Sequence, residues 1–81
     1  MRRDKLEIIR NILLICLKKD ANKTKIVYQA NLNFKTAGVY MDWLLNHEMI
    51  KKEDSTYQIT PKGNELLSNL QDVSLFFDET R

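Results

Sequence analysis

Only two glycines, one proline, one cysteine and one histidine occur in the 81-residue chain, and each scarcity removes a class of chemistry. A lone Cys16 supports neither a disulfide framework nor a cysteine-rich metal site, and it fits a reducing cytoplasm. With only Gly38 and Gly63 there is no glycine-rich phosphate loop and no nucleophile elbow, and no HExxH zinc signature occurs either. No apolar run is long enough to span a bilayer, and charges interrupt the N-terminal stretch throughout, which speaks against a signal peptide. No internal repeat, low-complexity segment or flexible linker divides the chain. The expectation is a cytoplasmic protein that is not an enzyme, with no cofactor, no metal, no membrane segment and no identifiable small-molecule ligand.

Apolar residues at 43% and charged residues at 30% are the balance of a globular chain. At this size the core is marginal, and dimerisation is a common supplement. The net charge of +2 says little, but its distribution says more. Residues 1–62 hold twelve Lys/Arg against seven Asp/Glu, whereas residues 63–81 set Arg81 against Glu65, Asp72, Asp78 and Glu79. A basic body with an acidic end is what segregated surfaces would give.

Lys23 to Met49 organises the rest. Ile26, Val27 and Ala30 sit at helical spacing in a short helix from about Thr24 to Ala30. A polar turn, Asn31-Leu32-Asn33, leads into a longer helix from Phe34 to about His47, with Ala37, Met41, Leu44 and Leu45 as its apolar stripe and Asn33 as its cap. Two helices across so tight a turn make a helix-turn-helix, whose second helix can enter a DNA major groove. A first helix, from Arg3 or Asp4 to about Lys19, precedes them. Its two apolar stripes (Leu6, Ile9, Leu13 and Cys16; Ile8, Ile12 and Ile15) exceed what packing on one side requires, so a C-terminal helix or another chain must cover the far side. Downstream, Met49–Glu53 and Thr56–Thr60 flank Asp54-Ser55 as a β-hairpin. Thr60 and Pro61 then cap and start a last helix, about seventeen residues long. Its Leu66, Leu70, Val73 and Phe77 form a heptad-like seam for dimerisation.

The fold class is therefore mainly α with a small β-hairpin: a winged helix-turn-helix over residues 1–60, and a C-terminal helix over 61–81 that either dimerises or packs on the first helix. The run Lys23-Thr24-Lys25-Ile26-Val27-Tyr28-Gln29-Ala30-Asn31-Leu32-Asn33-Phe34 resembles the small archaeal chromatin-type winged-helix proteins. Gly38, Tyr40, the opening Lys5-Leu6-Glu7-Ile8-Ile9 and Tyr57-Gln58-Ile59-Thr60-Pro61-Lys62-Gly63 share in it. The resemblance implies a double-stranded DNA-binding domain that dimerises through its C-terminal helices.

On this reading Asn33, Lys35, Thr36 and Val39 face the groove, while Lys23, Lys25, Tyr28, Lys51 and Lys52 hold the backbone. Asp42 on the same helix opposes phosphate charge. Tyr28 either reaches a phosphate or packs, and Tyr40 and Trp43 are core or groove-lining residues rather than stacking platforms. Gly38 costs its helix about 1 kcal/mol relative to alanine, so it permits a close approach, either of DNA or of the second helix. His47 is a helix-end cap, and Asp42, His47 and Glu48 diverge too far around the helix to form a metal or acid–base cluster. Cys16 is a small buried hydrophobe. The competing reading is a winged-helix protein-interaction module without nucleic acid.

Overall fold

The computed structural model describes residues 4–79, and side chains as far as Gln71. Four helices and one hairpin follow in the order α1 (Lys5–Ile15), α2 (Lys23–Gln29), α3 (Phe34–Asn46), β1 (Ile50–Glu53), β2 (Thr56–Ile59) and α4 (Pro61–Glu79). Each of the first three helices begins at a short polar side chain that takes an otherwise orphaned amide. Asp4 accepts from the Glu7 N–H at 2.7 Å, Asn22 from Lys25 at 2.9 Å and Asn33 from Thr36 at 2.7 Å. At α4 the Thr60 hydroxyl accepts from the Gly63 N–H at 3.0 Å and donates to the Glu48 carbonyl at 2.6 Å. Pro61 follows at the first helical position, where a missing N–H does no harm.

The ends of α2 and α3 share one geometry. Leu32 N–H donates to the Val27 carbonyl and Asn31 N–H to Tyr28; likewise Met49 donates to Leu44 and Glu48 to Leu45. These paired bonds form the Schellman motif, which turns the chain through one left-handed residue. Those residues are Asn31 (φ 56°) and Glu48 (φ 59°). Asparagine tolerates this conformation, but glutamate carries the full clash of its Cβ with the backbone. Glu48→Gly is accordingly expected to stabilise the fold by about 1 kcal/mol, read as a higher melting midpoint; an unchanged or lower midpoint would contradict it.

Helix α1 stops at Ile15, four residues short of the Lys19 end that its apolar spacing predicts. Cys16 caps it, and the Cys16 carbonyl turns to accept the Ile59 N–H at 3.2 Å. Leu17 is exposed as a result. The core gathers Ile12 and Leu13 of α1, Ile26 and Val27 of α2, Ala37, Met41 and Leu44 of α3, and Ile50 and Tyr57 of the hairpin. Helix α4 supplies Leu67 and packs on α1, the most extensive helix–helix contact among the described residues.

The hairpin pairs Ile50 with Ile59, Lys51 with Gln58, Lys52 with Tyr57 and Glu53 with Thr56. In its two-residue turn only Asp54 has positive φ (57°). The outer edge of β2 is tied to the connection between α1 and α2, where Tyr57 N–H donates to the Ala21 carbonyl at 2.7 Å. Among the described residues no helix is long and apolar enough to cross a membrane.

Candidate nucleic-acid interface

Because Ala37, Met41 and Leu44 point into the core, the 3.6-residue period turns Lys35, Val39, Asp42 and Asn46 outward along α3, and all four are exposed. Val39 is 64% exposed. The face is thus mixed: one cation, one anion, one amide and one apolar side chain. At the start of α3 the Asn33 side-chain oxygen is taken up by the Thr36 N–H, which leaves its amide hydrogens as donors. Thr36 itself is half-buried.

The five candidate lysines fall into two groups. Lys25 is ion-paired and hydrogen-bonded to Asp20, and this amine holds the Asp20 carboxyl below its usual range. Lys51 Nζ lies 4.0 Å from a Glu53 carboxylate oxygen. By contrast, Lys23, Lys35 and Lys52 are exposed, and no acid pairs with them among the described residues. Lys52 Nζ sits 5.8 Å from the centre of the Tyr57 ring, a distance at which the ring face attracts a cation. Tyr28 is 75% exposed on α2, so most of its side chain faces solvent.

Trp43 departs from the core placement left open for it. It is exposed and stacks on His47, with ring centres 4.2 Å apart. The His47 Nδ1 lies 2.9 Å from the Trp43 carbonyl, and since a carbonyl only accepts, Nδ1 is the donor there. The ring therefore closes the end of α3, as a cap does. Tyr40 is half-buried against the core. Among the described residues no group of three His, Cys, Asp or Glu side chains is placed to hold a metal ion.

The two glycines differ. A Cβ at Gly38 would meet only the Lys23 amine, at 3.7 Å, an ordinary contact. A Cβ at Gly63 would lie 2.0 Å from the Met49 carbonyl oxygen. Among the described residues the backbone thus crowds Gly63, while at Gly38 the second helix comes near only through the tip of Lys23.

On α4, Leu66 and Leu70 are half-buried, Leu66 packs against the core, and Leu67, outside the seam, is buried in it. The side chains of Val73 and Phe77 lie outside the described residues. Cys16 is buried at the end of α1, and desolvation pushes its thiol from near 9 up to about 12. The unfolded thiol ionises first, so this contribution to stability is complete below pH 9 and is lost as pH rises towards 12. The expected slope is about 1.4 kcal/mol per pH unit. Comparing alkaline melts of the unmodified chain and Cys16→Ala isolates it; parallel curves would contradict the burial.

Comparison with known proteins places this geometry. A winged helix-turn-helix family profile matches residues 2–76. The uncharacterized protein MJ0290 of Methanocaldococcus jannaschii is 45% identical over 73 residues, which are 90% of this chain but 35% of that protein. A second protein of the same archaeon, the uncharacterized MJ0287, is 33% identical over 72 residues, 89% of this chain and 74% of its own. The chain thus spans about a third of the first relative and about three quarters of the second. Among solved structures, Sso10a-2, a DNA-binding protein from Sulfolobus solfataricus, superposes with a TM-score of 0.83 at 29% identity, covering 96% of this chain and 85% of that one. The three helices, the hairpin and the profile match agree: the chain belongs to the winged helix-turn-helix family.

Proposed function

We propose that this chain binds duplex DNA as a homodimer, with α3 in the major groove and the hairpin on the flanking backbone. It acts in the cytoplasm as a transcriptional regulator or a chromatin-type architectural protein and catalyses no reaction. The observation that carries the reading is its likeness, over nearly its whole length, to the DNA-binding Sso10a-2. Asn33, Lys35, Thr36 and Val39 meet the groove, and Lys23, Tyr28 and Lys52 hold phosphates. Lys25 and Lys51 contribute less, because acids already engage them. Val39 offers only apolar contact, suited to a thymine methyl, and Asp42 repels phosphate, so binding is electrostatic in origin and weakly selective. The dimer forms through α4, along the heptad-like seam of Leu66, Leu70, Val73 and Phe77.

A titration of mixed-sequence duplex at several salt concentrations tests this. Affinity should fall steeply with salt, by about 0.9 in log–log slope per phosphate contacted. One observation favours the competing protein-module reading: Tyr28, Phe34, Val39 and Trp43 are large apolar or aromatic residues left exposed on α2 and α3. Absence of binding even at low salt would give that reading precedence. Sedimentation equilibrium tests the dimer separately, and a monomer mass at micromolar concentration would remove it.

A further inference from the structure

We propose that Gly38 and Lys23 together form a seat for one phosphate of the duplex backbone, with Gly38 as a positioning residue and Lys23 as its cation. The proposal rests on the DNA-binding reading above and adds a defined place of contact to it. Glycine in a helix interior lowers stability, so its presence asks for a reason. Packing among the described residues supplies none. Apart from the helix's own backbone and the flanking residues, a Cβ at Gly38 finds nothing within 4 Å except the tip of the flexible Lys23 side chain. At Gly63, by contrast, the fold itself excludes a side chain.

The surroundings indicate what the bare helix surface admits. Gly38 is partly open to solvent on the flank of α3 next to α2, from which the Lys23 amine reaches across it. Lys23 is exposed and has no acidic partner among the described residues, whereas Lys25 is held by Asp20. A surface with no side chain lets an anion come closer to the helix than an alanine would permit, and the amine above it supplies the charge. Asp42, one turn further along α3 and exposed, repels an anion, so the seat lies on the Lys23 side of Gly38.

The experiment measures duplex affinity against salt, and thermal melting, for the unmodified chain, Gly38→Ala, Lys23→Ala and the double variant. Gly38→Ala is expected to melt about 4 °C or more higher, yet to bind a short mixed-sequence duplex about tenfold more weakly, the scale of one charged hydrogen bond. Lys23→Ala should weaken binding similarly and flatten the salt slope by about 0.9. The double variant should be no weaker than Gly38→Ala alone, because both remove the same contact. Unchanged affinity in Gly38→Ala, additive losses in the double variant, or a lower melting point for Gly38→Ala would each overturn the seat. If the unmodified chain binds no duplex at all, the DNA reading itself fails; if it binds and Gly38→Ala binds equally well, only the seat fails.

Discussion

Gly63→Ala should lower the melting midpoint by on the order of 15 °C, from a loss of about 3 kcal/mol in a domain of this size. The added methyl group would sit 2.0 Å from the Met49 carbonyl oxygen and 2.9 Å from Ile59 Cγ1. Neither neighbour can yield at little cost. The Met49 carbonyl accepts the Thr60 N–H at 3.1 Å, and the Met49 N–H closes α3 on Leu44 at 2.8 Å. Gly63 itself is held by the Thr60 hydroxyl, which in turn donates to Glu48. The first turn of α4 would therefore have to lift off the junction between α3 and β1, and Leu67, one turn on, would lose part of its place in the core. Circular dichroism melts measure the effect. A midpoint within a few degrees of the unmodified chain would show that α4 is free to shift, and that its start is less tightly joined to the hairpin than these bonds imply.

Replacing Lys23, Lys35 and Lys52 together by alanine is expected to weaken duplex binding by about 10²- to 10³-fold at moderate salt, each lysine being worth one charge-assisted contact. The log–log salt slope should flatten by roughly 2.7, three times the value for one phosphate. Replacing Lys25 and Lys51 should do distinctly less. The difference comes from what each amine already touches: Lys25 would have to leave Asp20 and Lys51 would have to leave Glu53, while the other three face solvent without an acid among the described residues. Anisotropy titrations of both variants against one duplex decide it. Equal losses from the two sets would mean that the pairings seen here dissolve on binding, and that charge alone ranks the lysines.

Local chemistry made much of the fold legible. Asn33 announces α3, Thr60-Pro61 announces α4, and Asp54-Ser55 marks the hairpin, because caps and turns depend on one or two residues near in sequence. What stayed hidden depends on residues far apart. Apolar spacing carries α1 on to Leu17 and Lys19, but the helix ends where the Cys16 carbonyl meets Ile59, a partner 43 positions away. The left-handed residue after α3 is Glu48 rather than the glycine that usually signals it. Gly63 gave no sign of its role, since its neighbour Met49 belongs to another element. In the candidate interface, spacing alone placed Lys35 and Val39 on the outer face of α3. It was silent on the Asp20–Lys25 pair, which exists because the connection after α1 brings residue 20 back beside α2. The heptad seam on α4 likewise passed over Leu67, because a sequence period does not say which residues of α4 the core will cover.

The bonds from Tyr57 and Ile59 to the carbonyls of Ala21 and Cys16 have a kinetic consequence. A two-stranded hairpin in water is marginal by itself, and the two bonds that support it here close a loop of about forty residues, a step whose entropy opposes early formation. Helices α1, α2 and α3 can meet through neighbours in sequence, whereas these two hairpin bonds form only once the connection between α1 and α2 is in place. The wing is then expected to arrive late in folding, and the Tyr57 and Ile59 amides, bonded to that connection, are expected to exchange with solvent more slowly than those of the exposed tip at Asp54-Ser55.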